Sequence, residues 1–482
     1  MGHSIQSYTG SRHPEPYRTT GEFAGGSFGC ASYLAQHKET LNADLSSKTL
    51  KMALSRLTSS RLNIPEPEQP ASTKLIGSGK AKLVYSGYRN ALSLSPIEDV
   101  VYLVSRKSFG HSDELHEELK VGKNIQRGVY LANLSLFLEV LCHDKVQAKR
   151  AAKHLIVKFP NVEELIRGLY TRDPALMEML PQNSLCFGDA YNRALDRLTE
   201  TCMYLAIDFI NAPGVLIDGK PAVLAKKALT DLENAIRKNP YSFPQSARLA
   251  KQLMKGFRDL HAGGFVHGDL KLENVLLYSL NGKPLIKISD WGKCKHLNSK
   301  QIGFHCGNRR HMAPERLSSQ KGETFGIAMM TIRLLEEEFL SEAPKGMLVA
   351  ADPKDAHKEK ILRDEHDLIK CRKGIERYLS ICQGCPERDT KAIDVIPHAI
   401  GSFGSLMVTC PNNIDRQVAK YLDALQESLE KKYGASAEKK AGIRELISLL
   451  HAMMCSNRNE RISMEEASPR LEQILAPFLG PE

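Results

Sequence analysis

Four side chains in one short stretch have the types and spacing to move a phosphoryl group. His267-Gly268-Asp269-Leu270-Lys271-Leu272-Glu273-Asn274 runs directly into the apolar Val275-Leu276-Leu277, and sixteen residues beyond Asn274 comes Asp290-Trp291-Gly292. Phosphoryl transfer needs a carboxylate to orient and deprotonate the attacking hydroxyl, oxygen ligands for Mg²⁺, and a cation on the terminal phosphate. Asp269, Asn274, Asp290 and Lys271 supply that set. The bland alternative, a polar loop beside a turn, does not account for the spacing.

The segment resembles the catalytic loop of protein kinases, His-Arg-Asp-Leu-Lys-x-x-Asn, and Asp290-Trp291-Gly292 resembles their Asp-Phe-Gly. The resemblance implies Asp269 as catalytic base, Lys271 as the contact to the γ-phosphate of ATP, and Asn274 and Asp290 as ligands of Mg²⁺ or Mn²⁺. Upstream, Gly77-Ser78-Gly79-Lys80-Ala81-Lys82-Leu83-Val84 is similar to the glycine-rich loop, whose small residues let backbone N–H groups approach phosphates. Gly77, Gly79 and Val84 are then nucleotide contacts. Lys82 stands where the family has its third glycine, and either stiffens the loop or adds a cation near phosphate. A similar run, Gly25-Gly26-Ser27-Phe28-Gly29, has no strand and lysine at the right distance after it.

Val104-Ser105-Arg106-Lys107 is similar to the Val-Ala-Ile-Lys strand, which makes Lys107 the lysine of the α- and β-phosphates. Its partner is expected on the next helix. Glu118 fits best, because Val121, Gly122 and Ile125 follow at helical spacing; Glu114 and Glu117 stay open, as does a merely solvated acidic face. Val223 to Leu232 resembles the hinge between lobes, with Leu224 as gatekeeper, the backbone of Ala225 to Lys227 on adenine, and Asp231 at the ribose. Ala313-Pro314-Glu315 resembles the end of an activation segment, with Arg461 as the distant partner of Glu315, and Glu323 replaces the family's supporting Asp.

The elements around these residues read as an α+β, two-lobed kinase fold. Residues 1–70 are rich in Ser, Thr and Gly, end in a Pro-rich run, and are expected to be weakly structured. A small β-rich lobe follows over 71–228, with a strand at Val100–Val104 and a hairpin turning at Asp218-Gly219. A helical insertion of about 127–210 interrupts it. A large helical lobe over 229–482 carries a second insertion of about 345–440. Both insertions are candidate partner-docking elements.

With 42% hydrophobic and 25% charged residues, the composition is that of a globular protein, not of a disordered chain. The 11 cysteines are odd in number and scattered, which points away from a disulfide framework and towards a reducing compartment. Cys382-x-x-Cys385 and the group Cys294, His296, His305 and Cys306 read as loop residues, with metal binding the minor alternative. No transmembrane run or signal peptide is visible, and Gln6 breaks a myristoylation motif. A cytoplasmic location is expected, or delivery into a host cell as a bacterial effector.

A net charge of +10 suits acidic protein substrates, a nucleic acid or another anionic cofactor, or only a solvated surface. Lys293, Lys295, Lys300, Arg309 and Arg310 concentrate that charge beside the expected substrate groove. Gly268 replaces the arginine that receives an activation-loop phosphate, and Ser299 is the only hydroxyl side chain between Gly292 and Ala313. Activity without activation-loop phosphorylation follows. Two rival readings are a small-molecule phosphotransferase, which Gly268 favours, and a pseudokinase scaffold, which Lys82, Gly268, Trp291 and Glu323 favour. The first is opposed by Lys271, Ala313-Pro314-Glu315 and Arg461, the second by the presence of Lys107, Asp269, Asn274 and Asp290.

Overall fold

The computed structural model describes residues 49–57, 70–78, 82–90, 95–96, 100–105, 114–142, 144–174, 176, 189–207, 209–239, 241–298, 313, 319–340 and 414–479. The smaller lobe is an antiparallel sheet in the order β1 (Ser72–Ser78), β2 (Lys82–Asn90), β4 (Val100–Ser105), β6 (Lys220–Lys226), β5 (Phe209–Ile217), with the short β3 (Ser95–Pro96) beside β2. Asp218 and Gly219 both take positive φ between the paired Ile217 and Lys220, the left-handed pair that a two-residue hairpin turn requires. The Tyr85 hydroxyl donates to Asp218 at 2.8 Å and fixes that turn. The strand entering it begins at Phe209.

Strand alternation gives the sheet two apolar faces. Tyr85, Val100, Tyr102, Val104 and Leu224 pack together on one. Val101, Leu103, Val223 and Ala225, with Val84, form the other, which Leu115 and Leu119 of helix α2 (Glu114–Cys142) cover.

Helix α2 is longer than the expected boundary at 127 allows: its 29 residues run without a break from the small lobe into the first insertion. Its middle crosses the end of α7 (Phe243–Ala262) backbone to backbone, since a Cβ on Gly128 would lie 2.9 Å from the Gly263 carbonyl oxygen. Its far half buries Leu134, Phe137, Leu138 and Leu141 against α3 (Lys145–Lys158), α4 (Val162–Thr171) and α5 (Asp189–Thr199). Asp144 and Asn161 cap α3 and α4 by accepting backbone N–H bonds.

Residues 49–57, inside the segment expected to be weakly structured, are helical (α1). Leu50, Ala53 and Leu57, three and four residues apart, join the insertion's core. The rest of 1–48 lies outside the described residues.

The large lobe is built on α7, whose Ala247, Ala250, Leu253, Met254, Phe257 and Leu260 form one buried stripe. It packs with α8 (Gln320–Leu340), α10 (Ala437–Met453) and α11 (Met464–Leu479); α9 (Ile414–Tyr433), the described part of the second insertion, packs on α10. The short α6 (Leu232–Lys238) and the pairs β7 (Thr230–Asp231) and β8 (Phe265–Val266) complete the approach to the catalytic loop. Charged contacts fasten the first insertion to this lobe: Arg197 bonds Glu465 through both guanidinium nitrogens, and Lys255 donates to Glu200 at 2.9 Å.

Candidate active site

The sixteen-residue gap between Asn274 and Asp290 is closed by a hairpin. After Asn274 the chain enters β9 (Val275–Leu280), turns at Asn281-Gly282 with positive φ at both, and returns as β10 (Lys283–Ile288). The register pairs Val275 with Ile288, so Asn274 meets Ser289 and Asp290 arrives beside the catalytic loop. The Ser289 N–H and Oγ donate to the Asn274 carbonyl at 2.8 and 3.0 Å, and the Asn274 Nδ2 donates to the Asp269 carbonyl at 2.9 Å. His267 Nδ1 accepts from the Asp269 N–H at 3.2 Å, leaving Nε2 to donate to the Ser289 carbonyl at 2.9 Å. Asp269, Asn274 and Ser289 are therefore held in one network with His267, and Asp290 follows Ser289 directly.

The Asp269 carboxylate sits between two ammonium groups, Lys293 at 3.1 Å and Lys271 at 3.5 Å. Burial alone would raise its pKa, but the Lys293 hydrogen bond and the two lysine charges outweigh that and hold it below the ordinary carboxylate value. Asp269 is thus an ionised proton acceptor near neutral pH. Lys293 was read in the sequence only as part of a basic platform. Its contact with Asp269 arises because β11 (Lys295–His296) pairs with β8 and carries the chain back past the catalytic loop.

Gly268 has a physical reason for being glycine. Its φ is +78°, and an added Cβ would meet the Lys293 carbonyl oxygen at 2.6 Å. Its N–H donates to Glu323 Oε1 at 2.7 Å, while Glu323 Oε2 bonds His261 Nε2 at 2.9 Å. Burial pushes the Glu323 pKa up, but His261 and the Gly268 N–H reverse this and leave it lowered. The extra methylene relative to Asp is absorbed, since both oxygens find partners.

Opposite this floor, the buried Glu118 carboxylate is a junction. Lys82 donates to its two oxygens at 2.7 and 3.0 Å, and the Trp291 N–H donates to it at 3.2 Å. The same Lys82 ammonium stands 3.6 Å from Asp290. Trp291 is fully buried, its ring against His267, and its indole N–H donates to the Ala206 carbonyl at 2.9 Å. Asp290, with φ +70°, is directed outward and half-exposed. Its carboxylate and the Asn274 side-chain oxygen are hard donors of the kind Mg²⁺ or Mn²⁺ prefers, and the Asn274 NH₂ is already committed elsewhere.

The other expected residues fall as follows. Gly77 is at the end of β1 and Val84 lies in β2 on the α2-facing side of the sheet. Leu224 does not: it packs on the opposite face, and Val223 and Ala225 share the face of Val84. The Leu224 side chain is thus not on the face that a gatekeeper beside Val84 would require, since neighbouring residues of a strand point to opposite faces. Ala225 is paired within the sheet to Val101 and Phe209, and Lys227 follows the strand's end, exposed. Asp231 caps α6, accepting from the Asn234 N–H at 2.8 Å, a structural role that sequence reasoning missed. Arg461 is fully buried over the Phe325 ring and donates to the Cys455 and Lys321 carbonyls at 2.9 Å. Gly79, Lys107, Ser299, Lys300, His305, Cys306, Arg309, Arg310, Glu315, Cys382 and Cys385 lie outside the described residues.

The family model described as the protein kinase domain matches residues 222–470, just over half of the chain. The chain belongs to the protein kinase family. The match contains the whole floor of the site and begins within β6, after β1, β2, β4 and α2. Among similar proteins, the serine/threonine-protein kinase CLA4 of Saccharomyces cerevisiae is 26% identical over 55% of this kinase and 30% of its own length. Serine/threonine-protein kinase ste20 of Emericella nidulans is 29% identical over 35% of this kinase and 20% of its own length. The CLA4 of Eremothecium gossypii is 32% identical over 32% and 20% respectively. The kinase thus aligns with less than a third of the length of each of these relatives.

Proposed function

We propose that this kinase transfers the γ-phosphate of ATP to Ser and Thr hydroxyls of protein substrates. The observation that carries the reading is the closed network that joins Asp269, Asn274 and Ser289 through His267, at the end of the β9–β10 hairpin that brings Asp290 beside them. Similarity to proteins named as serine/threonine kinases supports the choice of acceptor, as does Lys271.

In the step, the acceptor oxygen forms a bond to the γ-phosphorus, the bond from that phosphorus to the β–γ bridging oxygen breaks, and ADP leaves. The acceptor's proton passes to the Asp269 carboxylate. Lys271, close beside Asp269, balances charge on the transferred group. Asp290 and the Asn274 side-chain oxygen would hold the divalent ion, whose chemistry is to neutralise phosphate charge. Glu323, through Gly268, fixes the backbone that presents Asp269.

Activity independent of activation-loop phosphorylation is part of the proposal. No arginine precedes Asp269 to receive a phosphate, and α2 is held inward by Glu118, by the Gly128–Gly263 crossing and by the anchored insertion. Ser299→Ala is expected to leave the transfer rate within about twofold of wild type; a tenfold loss would overturn it. Acidic substrates fit Lys293 and Lys295, which are described beside the loop, and the insertion surfaces are proposed to dock partners. No helix among the described residues is long and apolar enough to cross a membrane, and action in cytosol, the cell's own or a host's, is proposed. The test is incubation with ATP–Mg²⁺ and casein, with mass-spectrometric mapping. Phosphoserine and phosphothreonine are expected, and phosphotyrosine alone, or no protein phosphate, would contradict the reading.

A further inference from the structure

The family resemblance places the lysine of the α- and β-phosphates at Lys107, which lies outside the described residues, two positions after the last residue of β4. The ion pairs in the cleft point elsewhere. Lys82 opens β2, and its cross-strand neighbour in β4 is Ser105. The pair after next, Val84 and Leu103, lies on the face that α2 covers. Alternation therefore sets Lys82 and Ser105 on that same face, directed at α2 and the cleft. On the strand that should deliver the cation, this place holds a hydroxyl; on the glycine-rich loop, where the smallest side chain is expected, it holds an amine.

The amine does two things at once. It bonds both oxygens of Glu118, which is 5% exposed, and it stands 3.6 Å from Asp290. Its side chain remains 23% exposed, so the lysine is not sealed off by its carboxylate partners. A cation anchored by a buried helix carboxylate, adjoining the carboxylate proposed to hold the metal, is placed where phosphate oxygens between glycine-rich loop and metal would lie. The buried Glu118 oxygens need donors, and the Lys82 ammonium supplies one to each.

We propose that Lys82, and not Lys107, is the lysine that contacts the α- and β-phosphates of bound ATP. This rests on the kinase reading above and adds to it a catalytic residue supplied by the opposite strand. The departure at the third glycine of the loop and the departure at Ser105 are then one exchange: the charge has moved across the β2–β4 ladder and keeps its helix partner.

Two measurements on the full-length protein test this. In the first, wild type is treated with an acyl-phosphate derivative of ATP, which acylates lysine amines lying at the phosphates, and labelled peptides are mapped with and without competing ATP–Mg²⁺. ATP-competed label on Lys82 is expected. Label on Lys107 without Lys82, or no competed label on Lys82, overturns the proposal, and no variant has to fold for that result. In the second, Lys82→Met and Lys107→Met are compared in kcat/KM for transfer, with melting temperatures measured beside them. Lys82→Met is expected to lose about 100-fold or more and Lys107→Met less than about threefold. The reverse ranking overturns the proposal. Transfer that still disappears in Asp269→Asn would keep the kinase reading intact even then. Lack of any Asp269-dependent transfer would instead sink that reading, while the label on Lys82 would still decide the contact.

Discussion

The floor and the roof of the cleft are held by different means. On the floor, hydrogen bonds join Asp269, Asn274 and Ser289, and one local hairpin sets Asp290 beside them, within 24 residues of sequence from His267 to Asp290. On the roof, Lys82, Glu118 and the Trp291 N–H come from β2, α2 and the segment after β10, and a single carboxylate unites them. The floor is fixed mainly by short-range structure, with one long-range brace from Glu323 to the Gly268 N–H. The roof exists only when strand, long helix and loop are all docked. A kinase built this way is switched, if at all, through its roof, and here the roof is tied down by a helix whose far end is buried in a second core.

Breaking the roof at its junction should have the largest effect. Glu118→Ala removes the partner of Lys82 and of the buried Trp291 N–H together, so turnover should fall about 100-fold and the melting temperature should drop as well. Steady-state kinetics check this, and a loss under threefold would show that the roof is held by something else. On the floor, Gly268→Ala forces a side chain into a positive-φ position against the Lys293 carbonyl. A destabilisation of roughly 1–3 kcal/mol is expected, read by denaturant unfolding, with turnover falling as the loop shifts. The smallest effect distinguishes floor electrostatics from floor geometry. Lys293→Ala removes a cation that lowers the Asp269 pKa. Because that pKa is depressed, the base stays ionised as pH falls, until pH drops through it. Without Lys293 the acid limb of the kcat/KM profile should move to higher pH, by under about one unit. An unmoved limb would mean that Lys271 alone sets the ionisation.

The same contrast explains what could be read from the chain. The floor was legible because its residues are close in sequence and their spacing encodes a hairpin, as does the Asp218-Gly219 turn. The α+β division and the strand at Val100 were also legible; Glu118, expected to partner Lys107, bonds Lys82. The roof's cation was not legible: whether Lys82 or Lys107 meets Glu118 depends on which residues face each other across β2 and β4, a register that local pattern does not fix. Leu224 failed for a related reason, since both faces of β6 are buried and apolar alternation gives no hint of which one lines the cleft. The role of Lys293 follows from the β8–β11 pairing, two residues long, which carries no sequence signal of its own. Leu50, Ala53 and Leu57 do have helical spacing, but the polar sequence around them masked it until the insertion's core gave the helix a place to bury them.

The most direct test of the central claim is the transfer of γ-phosphate from ATP–Mg²⁺ to casein by wild type and by Asp269→Asn, which keeps the shape of the side chain and removes its capacity as a base. The account predicts incorporation by wild type and a fall of at least about 1,000-fold in the variant, with both proteins unfolding at similar temperatures. Equal incorporation by the two, or none by a folded wild type, would contradict it.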